Sequence, residues 1–145
     1  MKRIGLTLLL LISTQAHAAI FDVNHFNGVR WGSAMPAKGF RLILDAKDGW
    51  KFYSRPQDHS RVEGIPVSEL TYKATRGKFD AAHFIFNGDS NYTRVKALMV
   101  KTFGPVKETR AGREIYRKEQ AGKIITGMLQ YSHGQGLANF YRAHQ

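Results

Sequence analysis

Apolar and polar positions divide this chain into a leader, a series of strand-like segments and one helix. Residues Ile4 to Ile12 (IGLTLLLLI) form an uncharged, mostly apolar block. Lys2 and Arg3 precede it and Ala16-His17-Ala18 follows, the three-part pattern of a secretory signal peptide over residues 1–18. Cleavage is expected near Ala18-Ala19, leaving residues 19–145 as a single domain in the periplasm or outside the cell. The block is shorter than the ~20 apolar residues of a membrane-spanning helix. No second such block follows, so no transmembrane segment is expected after cleavage.

Downstream, period-two alternation dominates. Phe26 to Trp31 reads as a short extended segment ending at Gly32, and Ser33 to Pro36 as a turn or short helix. Phe40 to Asp45 alternates weakly, and Asp48-Gly49 then separates it from the aromatic run Trp50 to Tyr53, a hairpin signal. Leu70, Tyr72 and Ala74 fall on one face of a strand, with Thr71, Lys73 and Thr75 on the other; Arg76-Gly77 is the turn. The return segment, Lys78 to Phe86, carries bulky apolar groups on both faces near its end, which predicts a central strand covered on both sides. Arg113 to Glu119 and Lys123 to Tyr131 flank a three-residue connection, Gln120-Ala121-Gly122. A flexible turn over Ser132 to Gly136 leads to Leu137 to Tyr141, a last strand or short helix.

The period changes once. Over residues 89–103, Tyr92, Val95, Leu98, Met99, Thr102 and Phe103 share one arc at 100° per residue, opposite Arg94, Ala97 and Lys101. Asp89 or Ser90 is placed to cap the start, while Gly104-Pro105 stops the end. Strands in series around one principal amphipathic helix, without β-α alternation, predict an α+β fold: a mainly antiparallel sheet packed against that helix.

Charge adds a constraint on partners. The formal charge of +11 falls to +9 once Lys2 and Arg3 leave with the leader. Such a field favours anionic polymers or lipid surfaces, or an acidic envelope protein. The positive charge is interspersed: Arg94 to Lys123 holds nine basic and three acidic residues without a run of five like charges. Secretion argues against nucleic acid as the partner. The absence of cysteine excludes disulfides and a cysteine-linked lipid anchor.

Little in the sequence points to catalysis. Five histidines follow the leader (His25, His59, His83, His133, His144), and none lies in a G-x-S-x-G, H-x-H or H-E-x-x-H pattern. No metal site and no cofactor is expected. For binding, the polar loop after Tyr53 concentrates Arg55, Asp58, His59 and Arg61, and arginine forks suit carboxylate or phosphate. The plainer reading of that loop is a solvated turn in which Asp58 pairs with Arg55 or Arg61. Trp31 and Trp50, with Tyr53, are candidates for a stacking platform, against the plainer reading of core packing.

The order F-x-G-x-x-W-G (Phe26 to Gly32), Tyr53, Asp58, Leu70-Thr71-Tyr72, Phe84-Ile85-Phe86, the Asn91 to Gly104-Pro105 helix and Tyr116 resembles small secreted bacterial domains of unknown function. That resemblance implies a compartment and a fold and brings no activity with it. The function expected is therefore a basic, non-enzymatic secreted or periplasmic protein that binds an envelope protein or an anionic envelope component. The alternative is a hydrolase of an envelope polymer, which requires His59 or His133 beside a carboxylate such as Asp45, Asp58 or Glu63.

Overall fold

The computed structural model describes residues 21–143; the predicted leader lies outside these residues, as does His144. Twelve strands and one helix follow in order: β1 (His25–Phe26), β2 (Val29–Arg30), β3 (Arg41–Asp45), β4 (Trp50–Ser54), β5 (Arg61–Val62), β6 (Ile65–Pro66), β7 (Glu69–Thr75), β8 (Lys78–Asn87), α1 (Asp89–Phe103), β9 (Glu108–Arg110), β10 (Arg113–Gln120), β11 (Lys123–Ser132) and β12 (Gln135–Arg142). Eight strands make one antiparallel sheet in the order β3-β4-β7-β8-β12-β11-β10-β9. It consists of two four-strand meanders joined where β8 pairs with β12, with α1 as the crossover between them. The expected α+β class, antiparallel sheet with a single helix, is the observed one.

Glycine turns set the register. Asn27-Gly28, Glu63-Gly64, Arg76-Gly77, Ala111-Gly112, Ala121-Gly122 and His133-Gly134 all have positive φ at both residues. Each is a two-residue hairpin loop of the kind whose twist matches that of the flanking strands. Gln120 pairs with Lys123 and Ser132 with Gln135, so two connections are tighter than expected. Asn27-Gly28 likewise folds the Phe26–Trp31 segment into the small β1–β2 hairpin instead of one extended run. Ala34 forms a bridge to Lys78, so Ser33–Pro36 is not helical.

One face of the sheet builds the core. The cross-strand row Tyr53, Tyr72, Ala82, Phe140, Gly127, Tyr116 runs through six strands. From Tyr72 onward small residues alternate with aromatic ones in it, which leaves room for the covering layer. At Gly127 a Cβ would lie 2.8 Å from Met99 Cε and 2.9 Å from the Phe103 ring, so the glycine is where α1 presses onto the sheet. Gly136 sits under the Phe86 ring in the same way. Helix α1 buries Val95, Met99 and Phe103, half of its predicted arc. Full burial of side chains of this size stabilises by about 1.5–3 kcal/mol each. Gly88 precedes the helix without a side-chain cap; Asp89 is its first residue, and its carboxylate accepts the Tyr131 hydroxyl instead. Phe21, Phe26, Val29, Val62, Ile65 and Val67 complete the layer over β7, β8 and β12.

The opposite face carries no packed element among the described residues. Its rows include Thr71, His83, Asn139, Met128 and Ile115, and Glu69, Ile85, Leu137, Gln130 and Arg113. The strand Lys78–Asn87 is central, as expected, but only its Phe84/Phe86 face is covered. His83 and Ile85 stay half-buried because the single helix lies on the other side.

Candidate functional site

The polar loop after β4 folds inward. Pro56 starts a 3₁₀ turn, Pro56–Asp58, that brings Asp58 back over Arg55. Arg55 donates from Nε (2.8 Å) and Nη2 (2.7 Å) to Asp58 Oδ1, and from Nη2 to the Asn27 carbonyl at 2.8 Å. The Tyr72 hydroxyl donates to Asp58 Oδ2 at 2.6 Å, while Asn27 Nδ2 donates to the Tyr72 oxygen at 2.9 Å. The guanidinium lies 5.3 Å over both the Phe40 and the Tyr72 rings. Side chains of Arg55 and Asp58 are 15% and 8% exposed. Burial and then the Asp58 carboxylate push the Tyr72 phenol far above its ordinary value. With its polar groups turned on one another, this cluster is a latch between the β1–β2 turn, the loop and β7.

The remaining expected residues scatter. His59 is exposed with φ of +51°, and Arg61 reaches only the Gly64 carbonyl. Tyr53 is buried in the core beside Tyr72. Trp31 is buried too, stacked on Phe79 at 4.7 Å with its indole N–H donated to the Asp22 carbonyl. Trp50 differs: it is 44% exposed, and Lys73 Nζ sits 4.6 Å from its ring centre. So Arg55 joins Asp58, while the two tryptophans do not share a platform.

Around Trp50 lies a cleft of about 730 Å³. The β3–β4 turn supplies Asp48, the β7–β8 hairpin Thr75, Arg76, Lys78 and Asp80, and the end of β12 supplies Arg142. Arg142 crosses over Gly32, where a Cβ would come within 2.9 Å of its Nη1, and donates to the Trp31 carbonyl at 3.3 Å. Asp80 is buried and lies 3.7 Å from Lys73. The volume is that of ordinary small-ligand sites, and the lining joins a flat apolar ring to three cations and two carboxylates, of which Asp80 is paired with Lys73. Apart from Trp50, sequence reasoning missed these residues. They come from separate segments with no shared local motif, and only the hairpin turns bring them together.

Histidine–carboxylate pairs occur elsewhere. His83 Nε2 is 3.0 Å from Glu69 Oε1 on the uncovered sheet face, and Thr71 Oγ1 donates to the same oxygen at 3.0 Å. The histidine hydrogen bond holds Glu69 below its ordinary value of 4.5. His133 contacts Ser132 Oγ, and His59 has no side-chain polar partner among the described residues. Nor do three His, Asp or Glu side chains there converge where a metal ion would sit. No helix among the described residues is long and apolar enough to cross a membrane. Models of protein families, curated proteins and solved structures contain no match to this chain.

Proposed function

We propose that this chain is a non-enzymatic binding protein of the bacterial periplasm or exterior, and that its ligand is an anionic component of the envelope. The observation that carries the reading is the half-exposed Trp50 in a cleft lined by Arg76, Lys78 and Arg142. Aromatic faces hold sugar rings by contact, and guanidinium forks hold carboxylate or phosphate with two parallel bonds. Acidic saccharide units combine both features. The formal charge adds long-range attraction that salt weakens, whereas contact with the ring persists.

For the hydrolase alternative, which needs His59 or His133 beside a carboxylate, no hydrogen bond or ion pair joins either histidine to one among the described residues. Titration with oligogalacturonate, using neutral malto-oligosaccharide as control, tests the binding reading through tryptophan fluorescence. Trp31 is buried against Phe79, so a ligand-dependent change reports on Trp50. The expected result is a saturable shift with the acidic oligomer alone, weakened in Arg142→Gln and in Lys78→Gln, both of which keep the Trp50 reporter. An equal response to both sugars, or none at about 1 mM acidic sugar, a concentration matching only ~4 kcal/mol of binding, sinks the proposal.

A further inference from the structure

The two edges of the eight-stranded sheet are built differently. At one edge, β9 is only three residues long and its two charges, Glu108 and Arg110, are paired with each other at 2.8 Å. Short charged edges resist pairing with other chains. At the other edge, β3 reads Arg41-Leu42-Ile43-Leu44-Asp45. Leu42, Ile43 and Leu44 are 53%, 56% and 55% exposed, and no described strand pairs with the outer side of β3. Consecutive exposed aliphatic residues on an open strand edge call for a cover.

The strand is complementary to itself. Turned antiparallel about Ile43, it sets Arg41 opposite Asp45, Leu42 opposite Leu44 and Ile43 opposite Ile43. A parallel in-register pairing instead sets like charges opposite each other, and a slip of one residue misaligns both ends. Charge placement in the single chain agrees. Among the described residues the Arg41 side chain has no ion pair or hydrogen bond, while Asp45 lies 3.2 Å from Lys51 with both side chains about half exposed. Arg41 of a second copy would complete a Lys–Asp–Arg row across the seam. The register shift between Leu42 and Leu44 leaves Ile43 without a partner in β4, so the proposed two-fold axis passes through the bulged residue.

We infer that the chain forms a two-fold homodimer through β3, antiparallel about Ile43, which continues the sheet from one copy into the next. Five residues of strand edge bury less than the ~1,200 Å² of a stable standard interface, so the dimer is a weak, reversible one. Arg41 and Asp45 do not line the Trp50 cleft, so the inference stands apart from the binding proposal.

Sedimentation of the purified protein across a concentration series tests it, with far-UV circular dichroism confirming the fold of each variant. Wild type is expected to pass from monomer to dimer as concentration rises. Arg41→Asp and Asp45→Arg each convert two attractive pairs into two repulsive ones and should raise the dimer Kd by about tenfold or more. The variant carrying both exchanges restores opposite charges and should return to within about threefold of wild type, since residues that face each other across a seam couple and their effects are not additive. A wild type monomeric throughout, including one that pairs only with a different protein's strand, overturns the inference. So does a dimer indifferent to either exchange, or one the double exchange fails to restore.

Discussion

Removing the Asp58 carboxylate should release the loop latch at a cost that can be worked from its contacts. Asp58→Ala deletes the acceptor of the Arg55 Nε and Nη2 bonds and of the 2.6 Å Tyr72 hydroxyl bond. The guanidinium is then left in a site only 15% exposed, keeping the Asn27 carbonyl and the 3.1 Å contact to the Tyr72 oxygen. Breaking a buried pair by removing one partner costs about 3–5 kcal/mol. The residual bonds and partial solvent access lower the expectation to about 2–3 kcal/mol. Arg55→Met keeps an aliphatic stem beside Phe40 but leaves the Asp58 carboxylate, 8% exposed, with only the Tyr72 hydroxyl and Asn27 amide as donors, and should likewise cost about 2–3 kcal/mol. Once both are gone no unpaired charge remains, so the double variant should cost about 2 kcal/mol less than the sum of the singles. Urea unfolding followed by circular dichroism measures all three, provided that the slope with denaturant is unchanged. A cost below about 0.5 kcal/mol for Asp58→Ala, or simple additivity, would refute the latch and leave the loop as an ordinary solvated turn.

Gly136→Ala places a methyl group against the Phe86 ring and should destabilise by about 1–3 kcal/mol, readable as a lower urea midpoint; a neutral result means the ring has room to turn. Glu69 has a folded pKa below its unfolded one, chiefly through His83. Its contribution is therefore present above pH 4.5 and lost as pH falls through the lowered value. Unfolding midpoints followed down through pH 4.5 should accordingly drop less in His83→Gln than in wild type, an effect kept small by the exposure of Glu69. At the alkaline end, the Tyr72 and Tyr116 phenols are raised above 10.0, first by burial and then by Asp58 and Glu114 respectively. Folding then loses stability as pH rises past 10.0 and the unfolded phenols ionise. Phenolate absorbance of these two should appear only with unfolding, and an earlier two-proton step contradicts it.

The helix and most hairpins were legible because they are signalled locally. The 3.6 period, the Gly104-Pro105 stop and the apolar arc marked residues 89–103, and those are its bounds. Asn27-Gly28 is just as strong a turn signal. The apolar residues Phe26, Val29 and Trp31 nevertheless have the look of one strand, and the hairpin buries all three. Residue type alone did not separate Trp31 from Trp50, since burial depends on which strand lies beside each. The coverage of β8 is not legible for a related reason: Ile85 and His83 are as apolar or ambivalent as residues under a second layer, yet the one α-helix among the described residues lies over Phe84 and Phe86. The cleft was illegible because Trp50, Lys78 and Arg142 meet only after the two meanders join.

That junction also organises how the chain reaches its fold. Most pairings inside each meander are between neighbours in sequence, whereas the β8–β12 seam brings Asn87 beside Gln135, 48 positions away. Hairpins of this kind close in roughly 1–10 μs, while contacts of large sequence separation carry the loop-closure cost that slows β proteins. The rate of folding is then governed by one docking event, in which α1 swings the second meander under the first. Because the hairpins close before that event, a destabilising turn change at Ala121 should mainly slow refolding, while Ala138→Gly at the seam should divide its cost between slower refolding and faster unfolding, a contrast that the two arms of a chevron plot separate.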